Sequence, residues 1–375
     1  RTRFAPSPTG YMHIGNLRTA LFEFLIAKHE GGDFLLRIED TDQERKVEGA
    51  VDVIYKTLKE CGLNWDEGPD IGGDFGPYVQ SERLPMYKGY AEDLIKLGGA
   101  HYCFCSEEEI EAQRKEAESL GISFKFNDPC KHLSAEEVQA KLDAGEPYVI
   151  RQTIKDVGET YFDDEVYGRI EVDGDVLDEQ ILIKSDGYPT YNFANIIDDH
   201  QMQISHVVRG NEYLSSTPKY NLIYDAYGWQ RPTYVHVPPV MKDEHHKLSK
   251  RNGDASFQDL VAKGYLPDAI MNYIALLGWA PETEQEIYTL DELIKVFNIH
   301  RISKSPAIFD IDKLTWMNGV YLRNMDEETY YETVRPYLEK AVHGPYNLKE
   351  IAKIIQPRID ILNQIEESVD FFDTL

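Results

Sequence analysis

The 375-residue sequence has few cysteines, a deficit of basic residues and no long hydrophobic run. Four cysteines are too few for a disulfide scaffold, so we consider them as thiols or as metal ligands. No apolar run approaches the roughly 18 residues of a membrane span, and the first residues, RTRFAPSPTG, lack the apolar core of a signal peptide. We therefore expect a cytoplasmic protein without a membrane segment.

Acidic residues dominate the charge: 66 Asp and Glu stand against 39 Lys and Arg, and the formal net charge is −27. This imbalance excludes a general nucleic-acid coat protein, because phosphate binding needs many cations. It does not exclude a specific RNA partner, since such recognition uses shape, unstacked ends and a few local cations. Hydrophobic residues at 42% indicate a globular chain, and its length predicts two to four domains.

The first sixty residues predict a strand, a turn, a helix and a second strand. A short extended run at 3–5 precedes a Pro-Gly turn, apolar residues recur at helical spacing from Ile14, and 34–38 is typical of a buried strand. Such a βαβ unit implies a parallel sheet, because its crossover is right-handed. Strands at 205–209 and 233–237 continue this α/β pattern later in the chain.

Residues 99–186 differ in pattern and predict an inserted domain between two halves of the α/β domain. Capping boxes begin at Ser106 and Ser134, and strand-like runs occur at 148–151 and 180–184. After about residue 255 the apolar spacing becomes helical. The C-terminal third is therefore expected to be mostly α.

Two polar segments carry candidate chemistry. Residues 6–16 lie between the first predicted strand and helix, where ligands of open α/β sheets bind and helix N-termini attract phosphates. His13 could donate there to phosphate oxygens, although a solvated histidine in an ordinary turn explains this position equally well. Residues 242–251 hold four basic residues against two acidic ones. Alone, this run is more typical of a solvated surface turn.

Together, the two segments resemble the signatures of class I aminoacyl-tRNA synthetases. The run HIGN at 13–16 is similar to the HIGH signature, and KLSKR at 247–251 is similar to KMSKS. Within that class, RFAPSPTG at 3–10, RIEDTD at 37–42 and SDGYPTYNFAN at 185–195 resemble the bacterial glutamyl-tRNA synthetases. The resemblance covers essentially the whole chain. It departs at Asn16, Leu248 and Arg251, but both lysines of the second signature are kept.

The resemblance implies a Rossmann-like doubly wound parallel sheet, interrupted by an α+β domain that binds the tRNA acceptor end. A mainly helical stem-contact and anticodon-side region is expected to follow. The expected boundaries are 1–98 and 187–240 for the two halves of the catalytic domain, 99–186 for the insertion, 241–322 for the KMSKS-like loop and stem-contact domain, and 323–375 for the start of the anticodon-binding region. The distal part of that region is expected to be missing.

The implied activity is ATP-dependent activation of L-glutamate to glutamyl-adenylate, with release of pyrophosphate, followed by transfer to the 3′-terminal adenosine of tRNA(Glu). His13, Lys247 and Lys250 are expected to be catalytic. The expected ATP-binding residues are Thr9, His13, Gly15, Asn16, Lys247, Leu248, Ser249, Lys250 and Arg251. Mg²⁺ is expected to arrive with ATP, because no dedicated protein cage is visible. The family is usually monomeric, and charging of tRNA(Gln) is left open.

Seven positions match those that bind glutamate in the family. They are Arg3, Ala5, Ser7, Glu39, Tyr191, Asn195 and Arg209. Guanidinium groups bind carboxylates in bidentate fashion, so Arg3 and Arg209 suit the carboxylates of the substrate and Glu39 suits its ammonium group. Other roles stay open for some of them: Ala5 as a plain strand residue, and Tyr191 and Asn195 as buried partners on one helix face.

Three cysteines and a histidine form the pattern C-x-C-x24-C-x-H: Cys103, Cys105, Cys130 and His132. Three thiolates and an imidazole can supply the four tetrahedral ligands of a structural Zn²⁺. The pattern is similar to that of some bacterial members of the family, while three buried or exposed thiols are the simpler alternative. We predict one zinc ion per chain, stabilising the insertion.

The alternatives are a glutaminyl enzyme, a short relative that glutamylates a queuosine base, and a non-catalytic tRNA-binding paralogue. Arg3 disfavours the glutaminyl enzyme, because a guanidinium left without its carboxylate weakens binding. The segment 303–319 resembles a stem-contact region and disfavours the short relative. A non-catalytic module would have lost His13 or the lysines.

Overall fold

The computed structural model describes residues 1–42, 44–249 and 256–372. The chain forms two compact units. The first unit comprises Arg1–Ser7, Leu35–Lys46 and Asp66–His236, and the second comprises Pro8–Phe34, Val47–Trp65 and Val237–Leu375. Within the described ranges, every helix falls short of the length and apolarity that a membrane crossing requires.

The elements alternate in the first two thirds of the chain and become helical in the last third, as the pattern predicts. Strands β1 to β11 are Thr2–Phe4, Phe34–Leu36, Ala100–Cys103, Val149–Gln152, Glu159–Asp164, Gly168–Asp173, Ile181–Ile183, His206–Gly210, Thr233–Val237, Val240–Met241 and Ala307–Ile308. Helices α1 to α14 are Ile14–His29, Ala50–Glu60, Leu84–Lys96, Glu107–Ser119, Ala135–Asp143, Tyr191–Gln201, Thr217–Tyr227, Phe257–Ala262, Pro267–Ala275, Leu290–Val296, Ile311–Asn324, Glu327–Ala341, Leu348–Ile355 and Ile365–Ser368.

The first unit contains a four-stranded sheet in the order β6-β5-β9-β8 and a three-stranded sheet in the order β3-β4-β7. Strand β5 pairs in parallel with β9 but antiparallel with β6, so the hairpin 159–173 extends the larger sheet. The three-stranded sheet is antiparallel throughout. Both capping boxes predicted from the sequence are present, at the N-termini of α4 and α5. The mixed α/β class is therefore confirmed, with antiparallel strands in the larger sheet beside the parallel pair.

The core of the first unit fixes the helix that carries most of the candidate site. Buried side chains of α3, α6 and α7 pack on β4 and β7, with Tyr87, Phe193 and Tyr220 among the largest. Helix α6 begins at Tyr191, eight residues after the end of β7. Because its Phe193 and Ile197 face this core, the polar side chains between and beyond them are fixed in orientation.

In the second unit, α1 packs against α9 and α10. Its apolar side chains are buried, and Leu17, Leu21 and Leu25 are fully so, as the helical spacing predicts. A separate apolar cluster joins α12, α13 and α14 near the end of the described chain. Strands β10 and β11 form a short parallel pair through Val240 and Ala307.

Candidate substrate and metal sites

Three arginines and three acids are buried together in the first unit, and none of their side chains is more than 5% exposed. They are Arg3, Arg37, Arg83, Glu39, Asp198 and Asp199. Asp198 accepts hydrogen bonds from Arg83 Nε at 2.7 Å and from Tyr87 Oη at 2.8 Å. The formal charges of the six groups balance, which is the condition under which buried ions are tolerated.

Asp199 joins two arginines of this buried set, Arg3 and Arg37. Its Oδ1 accepts from Arg3 Nε at 2.7 Å and from Arg37 Nη1 at 2.8 Å, and its Oδ2 accepts from Arg3 Nη2 at 2.9 Å. Burial alone would raise the pKa of Asp199, but Arg3 and Arg37 hold that pKa below its usual value. Asp199 therefore carries a full negative charge, and it fixes the guanidinium planes of both arginines.

Glu39 is held through one carboxylate oxygen only. Its Oε1 accepts from Arg37 Nη2 at 3.0 Å and from Asn195 Nδ2 at 3.3 Å, whereas Oε2 is buried and has no hydrogen-bond partner among the described residues. Burial raises the pKa of Glu39 to about 7, against the opposing effect of Arg37 and Arg3. A buried carboxylate oxygen without a partner is costly unless a cation or donor binds there.

Arg209 lies at the end of β8 and is held on two of its nitrogens. Its Nε faces His236 Nε2 at 3.1 Å, and its Nη2 donates to Thr217 Oγ1 at 2.9 Å. Three tyrosine rings lie with their centroids 5.0 to 5.2 Å from its guanidinium carbon: Tyr213, Tyr220 and Tyr234. Guanidinium groups stack well on such rings, so the side chain is fixed while its charge stays available.

The remaining glutamate candidates occupy different environments. Asn195 is buried and connects two of the charged groups, because its Oδ1 accepts from Arg3 Nη2 at 3.3 Å while its amide nitrogen bonds Glu39. Tyr191 is 45% exposed at the start of α6. Ala5 is half-buried just after β1, and Ser7 is exposed. The structure thus brings Arg3, Glu39 and Asn195 into one hydrogen-bonded set.

The two signature segments meet in the second unit through His13. The Nδ1 of His13 accepts from Gly15 N at 2.9 Å and so caps α1, and its Nε2 lies 3.1 Å from Leu248 O. Because Nδ1 accepts, Nε2 carries the proton and donates to the carbonyl of Leu248. The imidazole is therefore a neutral donor at the N-terminus of a helix, which suits an interaction with phosphate oxygens.

The other ATP candidates range from exposed to buried, and two of them lie outside the described residues. Thr9, Asn16 and Lys247 are exposed, Gly15 and Ser249 are half-buried, and Leu248 is 7% exposed. The backbone N–H of Leu248 donates to Val240 O at 3.1 Å, which anchors the KLSKR run to β10. Lys250 and Arg251 lie outside the described residues.

The three cysteines of the predicted zinc pattern lie together in the first unit. Side-chain atoms of Cys103, Cys105, Asp128 and Cys130 all lie within 4.8 Å of one another, and the sulfurs of Cys105 and Cys130 are 3.7 Å apart. Tetrahedral zinc with Zn–S bonds of about 2.3 Å sets sulfurs roughly 3.8 Å apart, so the thiols fit this ion. The fourth member of the group is Asp128, whereas the predicted ligand His132 is not part of it.

Sequence reasoning missed several polar residues that orient the candidates. Arg37 lies next to the strand β2 and is fully buried, Asp199 lies on the buried face of α6, and His236 is fully buried in β9. The sequence signal for Asp199 is the acidic pair after Ile196-Ile197, since charges on the apolar face of a helix need buried partners. Asp128 lies two residues before Cys130, within the spacing of the metal pattern.

Comparison with known proteins places these features in one family. Residues 1–316 match the family described as tRNA synthetases class I (E and Q), catalytic domain. The chain is 60% identical to the glutamate–tRNA ligase of Clostridium tetani over 375 residues, covering all of this chain and 77% of that protein. The corresponding protein of Clostridium acetobutylicum is also 60% identical, with 78% covered. A crystal structure of a glutamate tRNA ligase from Elizabethkingia meningosepticum, in complex with its amino acid, superposes with a TM-score of 0.92 at 37% identity, over 99% of this chain and 79% of that one.

Proposed function

Because the chain belongs to the class I tRNA synthetases for glutamate and glutamine, we propose that it ligates L-glutamate to tRNA(Glu). The reaction consumes ATP, passes through glutamyl-adenylate with release of pyrophosphate, and ends on the 3′-terminal adenosine. The observation that carries the choice of an amino acid as substrate is the buried Oε2 of Glu39, which lacks a partner among the described residues. An α-ammonium group supplies the missing donor and the compensating charge.

Glutamate is distinguished from glutamine by cations for its carboxylates. Arg209 presents a fixed guanidinium among tyrosine rings, and Arg3 lies beside Glu39 in the buried set. A neutral amide would leave such a cation without its counter-charge, and sites of this kind reject the wrong substrate by roughly 10⁴ to 10⁵. Tyr191, Asn195, Ala5 and Ser7 complete the proposed glutamate-binding residues.

Activation requires the α-carboxylate of glutamate to attack the α-phosphorus of ATP. The chain's contribution is to position the reactants and to stabilise charge on the phosphates. His13 offers the Nε2 proton, and Lys247 and Lys250 offer mobile cations for the departing pyrophosphate. Thr9, Gly15, Asn16, Leu248, Ser249 and Arg251 are proposed to contact ATP. Mg²⁺ neutralises phosphate oxygens when it is bound, and we propose that it enters with ATP.

A structural zinc ion is proposed in the group formed by Cys103, Cys105 and Cys130. The 3.7 Å separation of two sulfurs supports it. Without a metal, burial raises the pKa of the Cys103 thiol to about 11. A bound dication reverses that effect and holds the thiols as thiolates. His132 and Asp128 are rival fourth ligands: the spacing favours His132, and the side-chain positions favour Asp128.

The proposed partners are tRNA(Glu), L-glutamate and ATP, with a monomeric enzyme in the cytoplasm. Charging of tRNA(Gln) is a second candidate property, because the family includes enzymes for both amino acids. The decisive experiment measures aminoacylation of tRNA(Glu) and tRNA(Gln) transcripts with glutamate and with glutamine. Glutamate on tRNA(Glu) is the expected product. A folded chain that charges neither tRNA, and that shows no pyrophosphate exchange in the presence of tRNA, overturns the proposal.

A further inference from the structure

A buried aspartate and histidine lie directly behind Arg209. Asp164 ends β5 and His236 lies in β9, and both are buried, with exposures of 4% and 0%. One oxygen of Asp164, Oδ2, accepts from the backbone N–H groups of Val166 and Tyr167 at 2.9 Å. Its Oδ1 accepts from the backbone N–H of His236 at 3.1 Å and lies 2.5 Å from Nδ1 of the same residue. The turn between β5 and β6 therefore fixes the carboxylate, and the carboxylate fixes the imidazole.

These contacts determine which nitrogen of His236 carries the proton. An ionised carboxylate only accepts hydrogen bonds, so Nδ1 of His236 donates to Asp164. The guanidinium Nε of Arg209 only donates, so Nε2 of His236 must offer its lone pair. A doubly protonated imidazole would set two N–H groups against each other. Burial and the neighbouring charge of Arg209 also keep the pKa of His236 below its usual value, against the opposing effect of Asp164.

A second acceptor fixes the other end of the guanidinium. The hydroxyl of Thr217 donates to the carbonyl of Tyr213 at 2.7 Å, so its oxygen lone pairs are free to accept from Arg209 Nη2 at 2.9 Å. Among the described residues, Nη1 of Arg209 has no hydrogen-bond partner. The guanidinium is thus held by Nε and Nη2, and Nη1 remains for a ligand.

We propose that Asp164 and His236 are positioning residues, which orient Arg209 for a carboxylate of the glutamate substrate. The neutral imidazole supplies the acceptor that Arg209 Nε needs, and Asp164 sets the tautomer that provides it. The same division of labour orients an imidazole in catalytic triads, where loss of the aspartate charge yields the wrong tautomer. This role rests on the proposed function of Arg209 in binding glutamate.

The test compares two amide substitutions that differ in where they place an acceptor. In His236→Asn the side-chain nitrogen takes the place of Nδ1, so the bond to Asp164 is kept and nothing faces Arg209. In His236→Gln the side-chain oxygen reaches the place of Nε2, so the acceptor for Arg209 is kept. The control is His206→Asn, a histidine at the start of β8 whose Nδ1 lies 2.9 Å from Ser205 Oγ.

Steady-state aminoacylation of tRNA(Glu) is measured for each variant, with KM for glutamate, KM for ATP, kcat and the preference for glutamate over glutamine. His236→Asn is expected to raise KM for glutamate by roughly tenfold or more and to lower the preference for glutamate, with KM for ATP unchanged, because a charge-assisted hydrogen bond is lost. His236→Gln is expected to raise KM for glutamate clearly less than His236→Asn does. Equal losses in both variants, or no change in either, overturn the positioning role.

If His236→Asn does not fold, Asp164→Asn tests the same arrangement, because an amide nitrogen that donates to Nδ1 of His236 moves the imidazole proton to Nε2, where it faces Arg209 Nε. It is expected to raise KM for glutamate selectively, and an unchanged KM contradicts the proposal. The wild-type chain in the same assay distinguishes a failure of the proposed function from a failure of the positioning role. A wild type that does not charge tRNA(Glu) overturns the proposed function, whereas a charging wild type with unaltered variants overturns only the role of Asp164 and His236.

Discussion

Arg37 donates from Nη2 to Oε1 of Glu39 at 3.0 Å and leaves the second oxygen of that carboxylate without a partner among the described residues. The arginine lies two residues earlier in the chain and is fully buried, so it is a fixed element of the protein rather than a mobile counter-ion. It neutralises one edge of the carboxylate and leaves the other without a counter-charge. We therefore expect Glu39 to respond to both pH and substrate.

Glutamate binding should weaken as the pH falls through about 7. Burial raises the pKa of Glu39 from 4.5 to about 7, so the carboxyl is protonated below that pH and no longer attracts an ammonium group. The α-ammonium and the carboxylates of glutamate do not titrate between pH 5 and 8. The measurement is the dissociation constant of glutamate between pH 5.5 and 8.5.

Glu39→Gln provides the matched control for that titration. It should bind glutamate weakly at every pH, without the inflection near 7. The raised pKa also means that ionised Glu39 opposes folding: this group's favourable contribution is full below about pH 4.5 and is lost as the pH rises through 7. A variant whose affinity still changes near pH 7 would assign the titration to another group.

Asp199→Asn should destabilise the protein by about 3 to 5 kcal/mol. The substitution removes the charge that Arg3 and Arg37 share, and buried cations without their partner are costly. Asp225→Asn is the control, because Asp225 pairs with Arg231 at the surface and such pairs contribute less than about 1 kcal/mol. Urea unfolding of both variants measures the difference. Equal stabilities would show that the buried set does not depend on Asp199.

Local patterns predicted the elements well, because they depend on neighbours in sequence. The helical spacing after Ile14 and the capping boxes at Ser106 and Ser134 appear in the structure as expected. The pairing of β5 with β9 was not predicted, since Asp164 and Tyr234 are 70 residues apart and no local signal specifies that contact. The domain boundaries proposed from the sequence stay a prediction.

The site residues that were predicted are those within recognisable motifs. Glu39 could be proposed because a charged residue at a strand end suits a ligand. Arg209 could be proposed because guanidinium groups bind carboxylates and because its position matches the family. His236 was not proposed, because one histidine within a strand has no pattern of its own and acquires a role only through Asp164 and Arg209. Buried polar contacts of this kind depend on the tertiary fold, which brings residues from distant segments together.

Removal of zinc should destabilise the first unit, and two variants identify the fourth ligand. The purified chain is expected to contain one zinc ion by elemental analysis, and a chelator should lower its melting temperature. If Asp128 is the ligand, Asp128→Asn lowers metal content and His132→Ala does not. If His132 is the ligand, His132→Ala lowers metal content and Asp128→Asn does not. Protein prepared without chelators that contains no metal would contradict the zinc prediction.

His13 combines a structural and a chemical role, and Asn can separate them. The imidazole caps α1 by accepting from Gly15 N, and asparagine is among the best N-cap residues, so His13→Asn should retain stability while His13→Ala loses about 1 kcal/mol. Neither variant retains the Nε2 donor that faces Leu248 O. Both should therefore slow pyrophosphate exchange, measured with glutamate, ATP and tRNA, by roughly 10²- to 10³-fold. Asparagine can replace the helix cap but not the Nε2 donor of His13. A His13→Asn enzyme with the wild-type exchange rate would therefore show that His13 only caps α1.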